Sequence, residues 1–163
     1  RVTFVAYTTK PIRTTLNMSI EITQVVGEDI LIKYNDLKPY IESALAHSSG
    51  EWTTEQIIQS AISHPSIFHV WEVFDNGTLV AIGTTRVVQY NNFVSLHIIT
   101  LGGKTNDKFP EWTQEFTNKI SQFPEIDCLE FTGRRGLLKP LEKAGWKERY
   151  TTMRLSLKET FDV

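Results

Sequence analysis

From residue 19 onward, the apolar positions of this chain change period several times, and each change marks an element. Ile20 and Ile22 alternate with polar neighbours from Ser19 to Val26, the period of a half-buried strand. Behind Asp36, the residues Leu37, Tyr40, Ile41, Ala44 and Leu45 recur as one face of a helix, with Pro39 in its first turn and Ser48-Ser49-Gly50 at its end. A second helix opens on Thr53 and Gln56, a T-x-x-Q capping box in which each side chain satisfies the other's free backbone donor. Trp52 before the cap and Ile57 inside it form a hydrophobic staple. Ile57, Ile58, Ala61 and Ile62 supply the buried stripe, and His64-Pro65 stops it.

The period then shortens. Ile67 to Phe74 and Leu79 to Tyr90 are strands joined by the hairpin turn Asp75-Asn76-Gly77, with Gly83 as an expected bulge. Asn91-Asn92 turns into a third strand, Phe93 to Leu101, which Gly102-Gly103 breaks. A helix follows from Pro110, with Trp112, Phe116, Ile120 and Phe123 on one face and Pro124 closing it. Ile126 to Thr132 is a strand. Leu137, Leu138, Leu141 and Ala144 make a short helix ending at Gly145, a left-handed cap, and Trp146 to Leu157 gives the terminal strand or strands. Strand–helix–strand after Phe93 implies a parallel pair inside an otherwise antiparallel sheet. The expected class is α+β, a mixed twisted central sheet flanked by about four helices.

Residues 1–17 stand apart from this pattern, because Met18-Ser19-Ile20 reads as a natural start. Two expectations stay open for them: sequence upstream of the domain, or an N-terminal arm adding a strand through Val2, Phe4 and Ala6. Residues 18–163 form the domain proper.

Composition narrows the classes. The chain has 163 residues, 40% hydrophobic and 22% charged, which suits one globular core. A net charge of −2 gives no general case for nucleic acid or an anionic membrane surface. The single cysteine, Cys128, rules out an intramolecular disulfide framework and fits a reducing, cytoplasmic setting. No apolar run approaches the roughly 20 residues that span a bilayer. No P-loop, nucleophile elbow or dinucleotide fingerprint is present, and His47, His64 and His69 share no ligand spacing with Cys128, so no metal is expected.

The element order from Met18 on, together with Lys139 to Trp146 (KPLEKAGW) and its Gly145-Trp146 pair, resembles the GNAT superfamily of N-acetyltransferases. The resemblance implies acetyl-CoA as cofactor and a small-molecule or protein amine as acceptor. It also implies that the pantetheine arm lies between two splayed parallel strands, here Phe93–Leu101 and Ile126–Thr132, with the pyrophosphate at the N-terminus of the helix between them. The positions that would hold the cofactor are Leu101, Gly102, Gly103 and Lys104, with Arg134 and Arg135 after the next strand.

This sequence departs from the family pattern in three places. The Q/R-x-x-G-x-G/A phosphate signature is missing: Gly102-Gly103-Lys104 offers either an anion cradle or a plain turn, and Asp107 and Pro110 oppose phosphate. Leu141 occupies the position where many relatives carry a tyrosine that protonates the departing thiolate, which leaves Tyr150 as the substitute donor. For the general base, His97 with Glu130 on the neighbouring strand is the expected pair, against the alternative of a packed strand histidine. Arg134-Arg135 entering a helix N-terminus opposes its dipole, which suits either an anionic partner or surface pairing with nearby carboxylates. Cys128 reads as core filler.

Two functional expectations follow. One is an acetyl-CoA-dependent N-acetyltransferase of the GNAT type. The other is a non-catalytic binding or structural protein on the same fold, similar to acetyltransferase-like proteins of tailed phages and virion-associated. An exposed terminal strand offers an edge for pairing with a second copy, so a homodimer and a monomer both stay open.

Overall fold

The computed structural model describes residues 2–7, 19–48, 50–103, 109–133 and 135–159. Among these residues a seven-stranded mixed sheet carries five α-helices in two layers. In chain order the elements are β1 (Val2–Tyr7), β2 (Ile20–Val25), α1 (Glu28–Ile32), α2 (Tyr34–Leu45), α3 (Thr54–Ser63), β3 (Phe68–Asp75), β4 (Thr78–Gln89) and β5 (Val94–Gly103). They continue with α4 (Phe109–Ile120), β6 (Cys128–Gly133), a single 3-10 turn at Arg135–Leu137, α5 (Leu138–Lys143) and β7 (Trp146–Thr151). The strand order is β2-β3-β4-β5-β6-β1-β7. β5 and β6 are parallel, and every other neighbouring pair is antiparallel.

Each face of the sheet has its own core. On one side Trp71, Leu96, Ile98, Leu129 and Phe131 pack with Trp112, Phe116 and Ile120 of α4 and with Leu141 of α5. On the other, Val25, Val70 and Ile82 meet Ile30 of α1, Leu37 and Ile41 of α2, and Ile57, Ile58 and Ala61 of α3. Burying apolar stripes of helices on both faces is what makes such a sheet stable. Among the described residues no helix is long and apolar enough to cross a membrane.

Local chemistry sets the boundaries. The Thr53 hydroxyl accepts from the Gln56 amide at 3.1 Å while Gln56 Oε1 accepts from the Thr53 amide at 3.0 Å, closing the expected capping box. Asn76 and Gly77, with φ of 51° and 79°, both take the left-handed conformation that the tight β3–β4 turn requires. Gly145 caps α5 at φ 91°.

Several boundaries differ from the sequence pattern. α1 is an unforeseen helical turn, and α2 follows it directly from Tyr34, so Pro39 lies inside α2 rather than in its first turn. Gly83 pairs regularly with Trp71 and Leu101 and forms no bulge; the irregularities fall at Val73/Phe74 and at Thr84/Thr85. β5 runs on through Gly102 and Gly103, which pair with Ile82 and Ala81, rather than breaking before them. Phe123 turns outward beyond the end of α4. β7 stops at Thr151, leaving Met153, Leu155 and Leu157 exposed. Residues 2–7 form a strand between β6 and β7, where the Thr3 and Thr132 hydroxyls meet at 3.0 Å.

Candidate functional site

The site begins with one extra residue in β5. Pairing with β4 runs Thr85 to Ile98 and then Thr84 to Thr100, so Ile99 is left over as a bulge. Two consecutive residues therefore face α2: Ile99 packs on the α2–α3 core, and the Thr100 hydroxyl bonds that of Thr84 at 2.6 Å in full burial. The alternation flips there, and Leu101 joins Ile98 on the α4 side. A bulge bends its strand and raises the local twist, and here β6 leaves β5 at that point. Parallel pairing covers Ser95–Ile98 against Cys128–Phe131 and no more, while β5 continues to Gly103 and β6 to Gly133.

Between the parted strands lies a cleft of about 160 Å³, walled by Ile99–Gly103 on one side and Phe131–Gly133 on the other, with the end of α2 above. It meets a larger cavity of about 480 Å³ through the shared residues Leu45, Ser48, Ile99 and Thr132. The larger cavity is lined further by Glu51, Trp52, Arg86, His97, Thr152 and Arg154.

His97 and Glu130, expected as a pair, are direct neighbours across the β5–β6 ladder and share the face toward α2. His97 reaches the cavity wall. Glu130 sits behind it at 2% exposure, its Oε2 accepting from the Tyr90 hydroxyl at 3.4 Å and its Oε1 without a hydrogen-bond partner among the described residues. Burial and the nearby Glu130 carboxylate push the Tyr90 phenol up to about 12, so at neutral pH it keeps its proton and can donate it in a hydrogen bond to Glu130. Tyr150, the expected acid, is half-exposed on β7, close enough to Tyr90 to interact electrostatically, and lines neither cavity.

Of the expected cofactor positions, Leu101, Gly102 and Gly103 line the cleft. The structure gives the two glycines a packing role that the sequence did not show. A β-carbon on Gly102 would run into the Tyr40 carbonyl oxygen of α2, and one on Gly103 would lie 2.5 Å from the Trp112 ring of α4. Arg135 is exposed on the 3-10 turn and lines neither cavity. Lys104 and Arg134 lie outside the described residues. Leu141, in the place of the relatives' tyrosine, is fully buried core.

Other side chains fall in structural roles. Cys128 is buried beside Ser95, and burial raises its thiol above the ordinary range. No group of three His, Cys, Asp or Glu residues suited to a metal occurs among the described residues. The sequence reading missed Arg86, whose guanidinium lies 5.4 Å from the centre of the Trp52 ring, and it missed Tyr90. It also missed the Glu51–Arg154 ion pair at 2.7 Å, which ties the segment before α3 to the segment after β7. Arg86 is in direct register with His97, a relation visible only once the β4–β5 pairing is known.

No family model matches the sequence, and no curated relative does. Solved structures match the fold. An aminoglycoside acetyltransferase from an uncultured soil metagenomic sample, in complex with sisomicin, is similar over 88% of this chain and 100% of its own, at 14% identity and a TM-score of 0.61. Glucosamine-6-phosphate N-acetyltransferase from Arabidopsis thaliana is similar over 85% of this chain and 99% of its own, at 12% identity and 0.58. A predicted acetyltransferase with acetyl-CoA from Clostridium acetobutylicum is similar over 85% and 96%, at 8% identity and 0.57. The chain has the fold of the GNAT acetyltransferases, as its element order implied.

Proposed function

We propose that this chain is an acetyl-CoA-dependent N-acetyltransferase, with the thioester arm in the cleft between β5 and β6 and the acceptor amine in the larger cavity. The observation that carries the reading is the open cleft itself, which runs from Gly102–Gly103 to the wall holding His97. A domain using this fold only as a scaffold has no need to keep the two strands apart.

The residues present suit such a ligand. Beyond Ile98 the β6-facing edge of β5 has no strand partner among the described residues, so backbone donors and acceptors there are available to an extended amide chain. Bound acetyl-CoA would supply an activated acyl carbon. His97 at the cavity wall takes the proton that the amine gives up as its nitrogen bonds to that carbon. Glu130, the ladder neighbour of His97 on the same face, is the carboxylate that would orient its ring, and Tyr90 donates to that carboxylate. Tyr150 lines neither cavity, so as the acid for a departing thiol it would need a relay through solvent.

A second reading, a non-catalytic binding or virion-associated module, draws on two features. Gly102 and Gly103 are explained by packing alone, and Leu141 offers no proton. Calorimetry with acetyl-CoA, followed by thiol-release assays over a panel of amines, separates the two. Micromolar binding and turnover that falls at least about a hundredfold in His97→Gln are expected, in line with the usual contribution of a general base. Absence of binding at millimolar acetyl-CoA would overturn the enzyme reading and leave the scaffold reading.

A further inference from the structure

We infer that the larger cavity takes an acceptor amine that also carries an anionic group, a carboxylate or a phosphate, and that Arg86 is the residue that reads it. This rests on the acetyl-transfer reading above and adds the substrate class.

The argument starts from the charges around the cavity. Among the described residues its wall holds one carboxylate, Glu51, and two guanidiniums, Arg86 and Arg154. Glu51 and Arg154 neutralise each other at 2.7 Å. Arg86 makes no ion pair and no side-chain hydrogen bond among the described residues, although it is half-buried. The buried carboxylate nearest in the ladder, Glu130, takes its hydrogen bond from Tyr90 and not from Arg86. A half-buried cation with no protein acceptor has lost part of its hydration without replacement. An anion entering the cavity supplies what is missing.

Geometry makes the same point. The guanidinium of Arg86 is held over the face of Trp52, 5.4 Å from its centre, and Trp52 is itself wedged edge-on against Phe68 at 5.9 Å. A cation–π contact of this kind uses none of the N–H donors in a hydrogen bond to an oxygen, so the fork stays free for bidentate contact with a carboxylate or phosphate. Arg86 is also the direct β4 partner of His97, which puts the fork beside the group that would take the amine's proton. One ligand carrying both an amine and an anion spans those two neighbours. A polycation, the kind of acceptor an aminoglycoside presents, meets no unpaired carboxylate in the described lining: Glu51 is neutralised by Arg154, Arg86 stands unpaired among the described residues, and Glu130 lies buried behind His97.

The test uses matched acceptors that differ only in the anion: phenylalanine against phenethylamine for a carboxylate, and glucosamine 6-phosphate against glucosamine for a phosphate. Acetyl transfer is followed by thiol release, and kcat/KM is compared within each pair. The anionic member of one pair is expected to win by about tenfold or more, the scale of a charge-assisted contact, and the winning pair identifies the anion. In Arg86→Gln the ratio should collapse to about one, and Arg86→Lys, which keeps the charge without the fork, should fall between. Equal use of both members by the native protein, or a preference that survives in Arg86→Gln, overturns the inference. If nothing is acetylated, the transferase reading fails by itself, and calorimetry with the same four compounds still decides this one. Binding of an anionic member that is lost in Arg86→Gln supports the anion site, and indifference to the anion or to the substitution refutes it.

Discussion

Replacing Gly102 with alanine adds one methyl group where the sheet and α2 come closest. The new carbon would lie inside the contact distance of the Tyr40 carbonyl oxygen, 3.1 Å from that carbonyl's carbon and 3.3 Å from the Ala44 β-carbon. Two of the three neighbours are backbone atoms in the middle of a helix, so no side chain can swing aside. α2 must withdraw, and with it Leu37 and Ile41, both at 0% exposure against the α2–α3 core. A gap of 0.5–1 Å forfeits roughly a quarter to a half of each dispersion contact, and overpacked cores lose about 1–3 kcal/mol. The rigid obstacle places Gly102→Ala in the upper half of that range, about 2–3 kcal/mol. At about 2–4 °C per kcal/mol for a chain of this size, the melting temperature should drop by about 4–12 °C. Urea denaturation measures the loss directly, with Gly136→Ala as the control because nothing lies within 4 Å of that position. A Gly102→Ala protein as stable as its parent would refute the packing argument. If it were stable yet lost acetyl-CoA affinity, the glycine would serve the ligand rather than the helix.

Other substitutions probe separate parts of the frame. Thr53→Ala removes one half of the capping box from an exposed helix start and should lower stability by about 1 kcal/mol in urea titrations; no change would show α3 to be held by packing alone. Thr84→Val strands the Thr100 hydroxyl in full burial and should lose about 1–3 kcal/mol, whereas Thr84→Val with Thr100→Val should recover most of it, as a double-mutant cycle would show. Burial holds the His69 ring below its ordinary 6.5, so the unfolded chain binds more protons in mild acid, and stability should fall as pH drops through and below 6.5. His69→Gln should remove that component from a pH series of thermal melts, and an unaltered profile would assign the acid sensitivity to other groups.

What the sequence showed and what it concealed divide along a physical line. Features set within a few residues were legible: the Thr53–Gln56 box, the left-handed Asn76-Gly77 turn and the Gly145 cap each follow from local backbone demands. So was the parallel β5–β6 pair, which follows from element order. The bulge at Ile99 was not legible, because residues 93–101 (FVSLHIITL) read as an ordinary apolar strand whether or not one residue is extra. Gly102 and Gly103 looked like a strand breaker and a phosphate cradle, and only the approach of Tyr40 and Trp112 reveals why no side chain fits there. Arg86 carries no motif, since its meaning lies in Trp52 thirty-odd residues earlier and His97 across the ladder. Non-local contacts of this kind leave no periodic trace in a single sequence.

These observations tie the cleft to strand register rather than to the residues that follow β5. The extra residue at Ile99 turns Thr100 toward Thr84 and Leu101 toward α4, and it sets Gly102 against α2 and Gly103 against Trp112. With the helices seated on both glycines, β5 cannot straighten to rejoin β6 without displacing one of them. The opening is therefore built into the packed core, and its persistence does not depend on the composition of residues 104–108. The space between β5 and β6 and the wall carrying His97 and Arg86 stay where the sheet puts them, whatever residues follow Gly103. Fold and chemistry are separable here: the bulge and its glycines make the cavity, and a few side chains on one face of β4, β5 and β6 decide what enters it.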